Sequence, residues 1–376
     1  MKKTQESGFT AGRKNTLYMN KKGIIRTIKR ITIWTIVSLL VQLVVLSYFN
    51  YLYLPNKNKV NIVVVNPQEA AGSRQARIPA DAENIKVSYN GKYAAYLHKN
   101  ELCLIETKGS RIIKSFPSDG KVLSYYMWLP DRNIIIYSMG TWKEEGSVIE
   151  VNTYDADGDI LRDYPELEVR EIKSEVLEIA LSPLTNIVYI KVGNNSKSSI
   201  YKFDIMDNLS FIMDVDFSTR IKKALYSDTL ILQHRDLSLY IWDGGKLYPL
   251  NSPAEGKSIM LGLDGEDNIY LGEMNQEGKI FRIFAGKVDQ EGVDSWNKIE
   301  LLSQADADKI IISKHGEIYI LDDKESPLKS IIKKNEHTIF NLTKKIKRAY
   351  KGDFIELIDW HIVSRKDRYL FIEEII

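Results

Sequence analysis

The most regular feature of the chain is a series of short apolar segments, rich in Ile, Val and Tyr, separated by polar turns. Seven of them begin 41, 53, 43, 39, 49 and 51 residues apart, at Tyr93, Ile134, Ile187, Leu230, Ile269, Ile318 and Tyr369. A period of about 40–50 residues containing several short strands is typical of propeller blades. A β-sandwich lacks this longer period. We therefore predict an all-β fold, a six- or seven-bladed β-propeller, with seven blades favoured.

A second apolar strand follows most of these segments, at residues 101–106, 147–151, 199–203, 238–242 and 279–283. Tight turns then lead to a further strand, as at residues 155–159 (DADGD) and 243–246 (DGGK). Asp-Gly and Gly-Gly pairs supply the positive φ that hairpin turns need. Each repeat therefore predicts a small antiparallel sheet.

A different pattern precedes the repeats. Residues 31–49 (ITIWTIVSLLVQLVVLSYF) carry no charge, with Trp34 near one end and Tyr48, Tyr51 and Tyr53 near the other. Nineteen helical residues span roughly 30 Å, the thickness of a bilayer core. We predict a transmembrane signal anchor over residues 31–54. A buried core helix is disfavoured by the lack of polar periodicity, and a cleaved signal peptide by the bulky residues that follow.

Charge gives this anchor a direction. The formal net charge of the chain is +2, but nine of the basic residues and one acidic residue, Glu6, lie within residues 1–30, which leaves about −6 on the remainder. The positive-inside rule places residues 1–30 in the cytoplasm and the chain after the anchor outside it. We therefore predict that residues 1–30 are a cytoplasmic basic tail, and we expect no regular structure in it. The small net charge of the whole chain indicates no nucleic-acid partner.

Residues 55–80 are predicted to be a linker that leads into an extracytoplasmic propeller domain at 81–376. Within the linker, residues 60–65 (VNIVVV) are strongly β-forming, whereas residues 68–80 are small and polar and predict a loop. A propeller must close, and a strand at 60–65 pairing with the last blade would protect an exposed edge. Cys103 is the only cysteine, so no intramolecular disulfide forms, which is more typical of a bacterial exported domain.

The repeats also carry a motif. Residues 87–96 read VSYNGKYAAY, residues 128–137 read WLPDRNIIIY, and weaker copies stand at 181–189 (LSPLTNIVY) and 263–270 (LDGEDNIY). The first two resemble the W-S-P-D-G-K-x-I-A-F repeat of TolB-type and prolyl-oligopeptidase-type propellers. The resemblance implies a propeller over roughly residues 81–376 and no particular activity, since such propellers serve many functions.

Candidate chemistry is sparse. The five histidines, His98, His234, His315, His337 and His361, form no metal-ligand spacing, and DADGD lacks the glycine that a calcium loop places after its third acid. No G-x-S-x-G elbow, Walker motif or dinucleotide fingerprint is present, and we expect no hydrolase domain beside the repeats. We therefore assign no catalytic, metal or cofactor-binding residue and expect no cofactor. Loop carboxylates such as Asp131, Asp264 and Asp322 are the ones to inspect for a glycosidase pair.

Two further groups have both a structural and a binding interpretation. The basic run Lys344, Lys345, Lys347, Arg348 and Lys351 is either a solvated loop, the favoured interpretation, or a contact for lipid headgroups or an anionic wall polymer. The aromatic residues are expected mainly to pack between blades, with a few at loop tips forming a binding face: Tyr125, Tyr126, Trp128, Trp142, Trp242, Trp296 and Trp360.

Together these features favour a membrane-tethered extracytoplasmic propeller that binds, scaffolds or senses at a bacterial cell envelope. The expected partners are the lipid bilayer, through residues 31–54, and a protein or cell-envelope polymer. One alternative is a glycan-acting enzyme with carboxylates at the propeller channel, recognisable by a cluster of ionisable groups with perturbed pKa values. Another is an accessory subunit of a membrane complex whose helix pairs through Gln42.

Overall fold

The computed structural model describes residues 21–48, 73–204, 206, 208–288, 293, 295–322 and 336–375. They belong to two compact units that divide between Val60 and Asn61. The predicted closing strand at 60–65 and the last residues of the predicted anchor, 49–54, lie outside the described residues.

The first unit contains one helix, α1, Lys21–Tyr48. Its segment Lys29–Ser47 has a mean hydropathy of 1.9 and is long and apolar enough to cross a membrane. The helix begins ten residues before the predicted apolar run, so the prediction that residues 21–30 lack regular structure is wrong. Lys, Arg and Ile extend a helix at little cost once the apolar segment has nucleated it.

The second unit is a seven-bladed β-propeller, which confirms the predicted fold class. Blade 1 contains β2 (Glu83–Val87), β3 (Tyr93–His98), β4 (Glu101–Glu106) and β5 (Arg111–Pro117). Blade 2 contains β6 (Val122–Trp128), β7 (Ile134–Lys143), β8 (Gly146–Asp155), β9 (Ile160–Asp163) and β10 (Leu167–Val169). Blade 3 contains β11 (Glu175–Ser182), β12 (Ile187–Gly193), β13 (Ser198–Phe203) and β14 (Leu209–Val215).

Blade 4 contains β15 (Arg220–Lys223), β16 (Leu230–Gln233), β17 (Leu239–Asp243) and β18 (Lys246–Pro249). Blade 5 contains β19 (Ser258–Leu263), β20 (Asn268–Met274), β21 (Ile280–Lys287) and β22 (Asn297–Ala305). Blade 6 contains β23 (Ile310–Ile312), β24 (Ile318–Asp322), β25 (Glu336–Asn341) and β26 (Ile346–Lys351). A 3₁₀ turn, Ala307–Lys309, precedes β23. All strand pairs within a blade are antiparallel, and first strands of neighbouring blades contact one another around the centre.

Blade 7 closes the ring with strands from both ends of the domain. It contains β27 (Asp353–Ile358), β28 (His361–Lys366), β29 (Tyr369–Glu374) and, as its outer strand, β1 (Arg74–Arg77). Arg74 pairs with Ile372 and Arg77 with Tyr369. Closure by an N-terminal strand was predicted, but β1 lies within the segment 68–80 that we predicted to be a loop. Its single buried side chain, Ala76, is too weak a signal for a strand.

Burial explains why the repeat was visible in the sequence. The second and third strands of a blade are covered on both faces by neighbouring blades, so β16 (LILQ) is buried throughout. The outer strand β9 is exposed throughout. The predicted seventh repeat was out of phase, because Tyr369 begins the third strand of blade 7. The second strand begins at His361, 43 residues after Ile318.

The motif corresponds to the turn between the first and second strands. In blade 1 Ser88 Oγ accepts the N–H of Tyr93 at 3.1 Å, Asn90 Oδ1 accepts the N–H of Lys92 at 3.0 Å, and Gly91 has a φ of +72°. The predicted turn at Gly244 and Gly245 is confirmed, with both φ values positive (53° and 83°).

Candidate functional site

One mouth of the central channel is formed where the first strand of each blade turns into the second. We call it the A–B mouth. It carries a cavity of about 880 Å³ lined by residues of blades 1 to 6 and, beside it, a smaller cavity of about 450 Å³ lined by blades 1, 2, 6 and 7. Tyr89, Pro130, Ile312 and Lys314 line both, so the two cavities adjoin. Every blade therefore contributes to one concave surface, the usual form of a ligand site.

Apolar side chains cluster in the part of the A–B mouth formed by the turns of blades 2 to 4. Leu184 and Tyr226, in the turns of blades 3 and 4, line the large cavity and are each 58% exposed. Pro130, Pro183 and Leu225 lie in the same wall. The turn that holds Tyr226 is fixed by Asp267 of blade 5, whose carboxylate accepts the backbone N–H groups of Leu225 and Tyr226. The backbone of this turn is therefore fixed by hydrogen bonds, while the large Tyr226 side chain that it carries is exposed to solvent.

The part formed by blades 6 and 7 is charged. Asp359 Oδ1 lies 2.7 Å from His315 Nε2 and 3.0 Å from Lys314 Nζ. Burial opposes ionisation of Asp359, but the hydrogen bonds from His315 and Lys314 outweigh it and hold the pKa of this carboxyl below its ordinary value. The His315 ring stacks on Trp360 at 4.1 Å, and Lys344 Nζ lies 4.9 Å from the Trp360 ring centroid.

Glu356 lies in the wall of the smaller cavity, three residues before Asp359. Burial raises the pKa of this carboxyl, against the opposing effect of Lys86, whose Nζ lies 3.7 Å away. Two carboxyls with pKa values shifted in opposite directions are the feature expected of an acid–base pair. However, Glu356 Oε1 accepts the backbone N–H of Val87 at 2.6 Å, which joins blade 7 to blade 1.

The same contact recurs between other blades. Glu178 accepts the N–H of Ile221 at 3.0 Å, Gln233 accepts that of Met260 at 2.9 Å, and Ser124 accepts that of Val176 at 3.2 Å. First strands of neighbouring blades do not form a ladder, so a side chain must satisfy these buried amides. Glu356 is therefore one of a set of residues that join blades.

Two lysines of blade 4 also line the large cavity. Lys222 Nζ lies 3.7 Å from Glu178. Lys223 is buried, and its ammonium donates to the carbonyls of Ala224, at 2.9 Å, and Ser227. Burial lowers the pKa of Lys223 to about 8. Its donors face backbone oxygens of its own turn, which indicates a brace for the turn that carries Tyr226.

The three carboxylates singled out in the sequence do not form a site together. Asp131 and Asp264 line the A–B mouth, but Asp322 ends β24 at the opposite end of the blade, 2.5 Å from Lys347 Nζ. Asp131 pairs with the adjacent Arg132 at 2.7 Å. Asp264 is buried, and both of its oxygens are occupied: Oδ1 accepts the backbone N–H of Asn268, and Oδ2 accepts the hydroxyl of Tyr270 at 3.0 Å.

The five histidines lie in four different blades, and only His315 lines the A–B mouth. Across the described ranges, no group of three His, Cys, Asp or Glu side chains is placed to hold a metal ion. The predicted turn at 155–159 is a hairpin in which Asp155 Oδ1 accepts the N–H groups of Asp157 and Gly158 at 3.0 and 3.2 Å. Asp157 and Asp159 pair with Lys92 and Lys114 at 2.5 and 3.2 Å.

The basic run at 344–351 is a turn and strand β26, so the loop interpretation is wrong for most of it. Lys344 pairs with Glu317 at 2.8 Å, Lys347 pairs with Asp322, and Arg348 is buried. Alternation along the strand places the neighbouring Lys347 and Arg348 on opposite faces of the sheet. Among the aromatics, Tyr126 and Trp128 are buried between blades as expected, whereas Trp142 is 42% exposed.

Sequence reasoning missed Leu184 and Tyr226. A signal for Leu184 was available, since it follows Pro183 as Asp131 follows Pro130 in the aligned motif, and both line the cavity. Tyr226 has no such signal, because blade 4 lacks a recognisable motif copy.

No protein-family model matches the chain, and no curated protein matches it. Among solved structures, the β-propeller domain of Cps50 (Swd1) from Myceliophteria thermophila is 13% identical, with a TM-score of 0.52, covering 81% of this chain and 100% of that one.

Two further structures are less similar. The WD40 domain of SCAP from fission yeast is 13% identical with a TM-score of 0.43, covering 79% of this chain and 85% of that one. Dipeptidyl peptidase 4 from Porphyromonas gingivalis is 10% identical with a TM-score of 0.43, and the match covers 72% of this chain but only 45% of the peptidase. At such identities a likeness shows the fold alone, so the comparisons support a β-propeller, and membership of the TolB-type group remains a prediction.

Proposed function

We propose that this protein is a membrane-tethered, extracytoplasmic binding module that holds a protein partner at the A–B mouth. The observation that carries the proposal is the pair Leu184 and Tyr226, exposed beside a cavity of about 880 Å³. Large apolar side chains on rigid turns give contact area at little entropic cost. The partner segment therefore presents an apolar side chain to the cavity.

The membrane part of the proposal is supported by α1 and by the basic bias of residues 1–30. We expect a reporter fused after Ile376 to be active only outside the cytoplasm, because the basic flank precedes the apolar segment. Protease added to intact protoplasts should remove the propeller domain. Protection of the C-terminus in such cells would refute this orientation.

The binding part is tested with a photo-crosslinking amino acid at Tyr226 of the full chain in native membranes. The substitution Leu184→Glu should abolish most of the crosslinked product, since it places a carboxylate in the apolar wall. Leu247→Glu is the matched control, because Leu247 is also exposed but lies in the outer strand β18. Equal crosslinking of the Leu184→Glu and wild-type chains would refute the A–B mouth as the binding surface.

A glycan-acting enzyme is the second candidate, and the opposite pKa shifts of Glu356 and Asp359 are what favour it. The contacts of both groups weigh against it. Glu356 serves as an inter-blade acceptor and Asp359 is paired with two cations. Turnover of a glycan that is lost in both Glu356→Gln and Asp359→Asn would establish the enzyme instead.

The accessory-subunit alternative concerns α1. Gln42 is exposed on the helix, and its amide makes no hydrogen bond to any residue that the structure describes. An amide in hydrocarbon gains by pairing with another helix, by roughly 1–2 kcal/mol in model peptides. Loss of a co-purifying membrane protein in Gln42→Leu, with the Leu184→Glu chain unaffected, would favour this alternative.

A further inference from the structure

Among the described residues, the hairpin of β7 and β8 has the longest strands of any blade. Each strand has 10 residues, against six in β3 and β4 of blade 1 and seven and eight in β20 and β21 of blade 5. Two to four additional residues add roughly 7–13 Å. The extension lies at the turn end, since Gly140 pairs with Val122, the first residue of β6, and residues 141–143 continue beyond it. Blade 2 therefore projects from the face opposite the A–B mouth.

The projecting tip is held rigidly. The strand β10 pairs with β8 close to the turn, from Leu167 opposite Ile149 to Val169 opposite Ser147. Ser147 Oγ donates to the carbonyl of Glu171 at 3.0 Å and accepts the N–H of Ser174 at 3.0 Å. Gly146 has a φ of +150°, and a Cβ there would lie 2.3 Å from the carbonyl oxygen of Val169, so the segment after β10 crosses the turn in direct contact.

This rigid tip is apolar at its centre and carries charges of both signs. Trp142 is 42% exposed, Ile172 is 50% exposed, and Lys173 Nζ lies 5.9 Å from the Trp142 ring. Around them are three cations and two carboxylates, and none of the five forms an ion pair with another described residue: Lys143, Arg170, Lys173, Glu144 and Glu145. Exposed Trp on a preorganised backbone is typical of an interface hot spot.

We propose that the tip of the blade 2 hairpin is the contact between two copies of this chain. A two-fold axis brings each patch against itself, so Trp142 and Ile172 meet their counterparts, and Glu144 and Glu145 of one copy face the cations of the other. A contact with anionic lipid is disfavoured, because the two carboxylates stand at the apex of the turn and would meet the headgroups first. The proposal does not depend on the A–B mouth.

The sequence makes a direct test simple, since Cys103 is the only cysteine and is buried. Full-length chains carrying Glu144→Cys are treated with a short bismaleimide in native membranes. We expect a crosslinked dimer at several times the yield given by Lys246→Cys, an exposed control position at the start of β18 in blade 4. Adding Trp142→Ala to the Glu144→Cys chain should lower the dimer yield at least about fivefold, as loss of a hot-spot residue would.

A charge exchange tests the pairing without relying on one variant. Chains with Lys143→Glu and chains with Glu144→Lys and Glu145→Lys should each form fewer dimers than the wild type, and should associate preferentially with each other when co-expressed. Equal crosslinking at positions 144 and 246, or no preference in the mixed pair, would overturn the proposal. So would binding of the tip to vesicles of anionic lipid that Trp142→Ala abolishes while the dimer persists.

Discussion

Closure of the ring by β1 leads to a quantitative prediction for Ala76. This side chain is fully buried and packs in the core between blades 7 and 1 with Val363, Leu370 and Ile372. The substitution Ala76→Asp places a carboxylate there without a partner, at a cost of several kcal/mol if the strand stays in place. Alternatively β1 detaches, which loses about three or four ladder hydrogen bonds at roughly 1 kcal/mol each and regains chain entropy.

The chain adopts whichever state costs less, so we expect the free energy of unfolding to fall by the smaller of these two costs, about 2–4 kcal/mol. For a domain of about 300 residues this lowers the melting temperature by roughly 3–6 °C. The measurement is thermal unfolding of the full chain in mild detergent, followed by tryptophan fluorescence. The matched control is Gln75→Asp, which introduces the same side chain at the neighbouring, exposed position of β1. Equal melting temperatures for the two variants would show that β1 does not close the ring.

Two further predictions concern ionisable groups that line the A–B mouth. Glu356→Gln should leave the stability at neutral pH unchanged or slightly raised, because the amide oxygen still accepts the Val87 N–H and a carboxyl with a raised pKa no longer has to ionise. Glu356→Ala should cost about 1–3 kcal/mol in urea unfolding, because the Val87 N–H loses its acceptor. Equal losses in both variants would contradict the acceptor role. Burial lowers the folded-state pKa of Lys223 from 10.5 to about 8, so between about pH 8 and 10.5 the unfolded chain binds more protons and stability rises with pH. Relative to Lys223→Met, the wild type should gain at most about 3 kcal/mol across this window, and parallel pH profiles would refute the assignment.

The fold was predictable because blade packing leaves a direct mark on the sequence. The second strand of a blade is buried on both faces, so segments such as Leu230–Gln233 are continuous apolar runs that recur with the blade period. The closing strand was not predictable, since an outer strand such as Arg74–Arg77 buries one small side chain and is otherwise polar. The strongly β-forming residues 60–65 therefore drew the prediction away from the segment that closes the ring.

The candidate site was less predictable, because its members come from turns whose sequences vary. Motif alignment placed Asp131 and Asp264 at the A–B mouth without indicating that Asp264 is occupied by its own turn. The opposite position of Asp322 follows from strand direction, which the sequence does specify once strands are assigned in order. The exposure of Tyr226 depends on Asp267 of the next blade and has no local signal.

Repetition within the ring offers a way to separate structural from functional residues. A contact that the fold requires should recur from blade to blade, as the acceptor contact of Glu356 does in Glu178 and Gln233. A feature that serves one partner need appear only once. Leu184 and Tyr226 are the large exposed apolar side chains among the A–B turns of the described residues. Among those residues, too, only blade 2 has ten-residue strands, and the first of them carries the exposed Trp142 near its end. By this criterion the acceptor carboxylates Glu356 and Glu178 belong to the architecture, and this is why we propose the apolar turns and the projecting hairpin, rather than these carboxylates, as recognition surfaces.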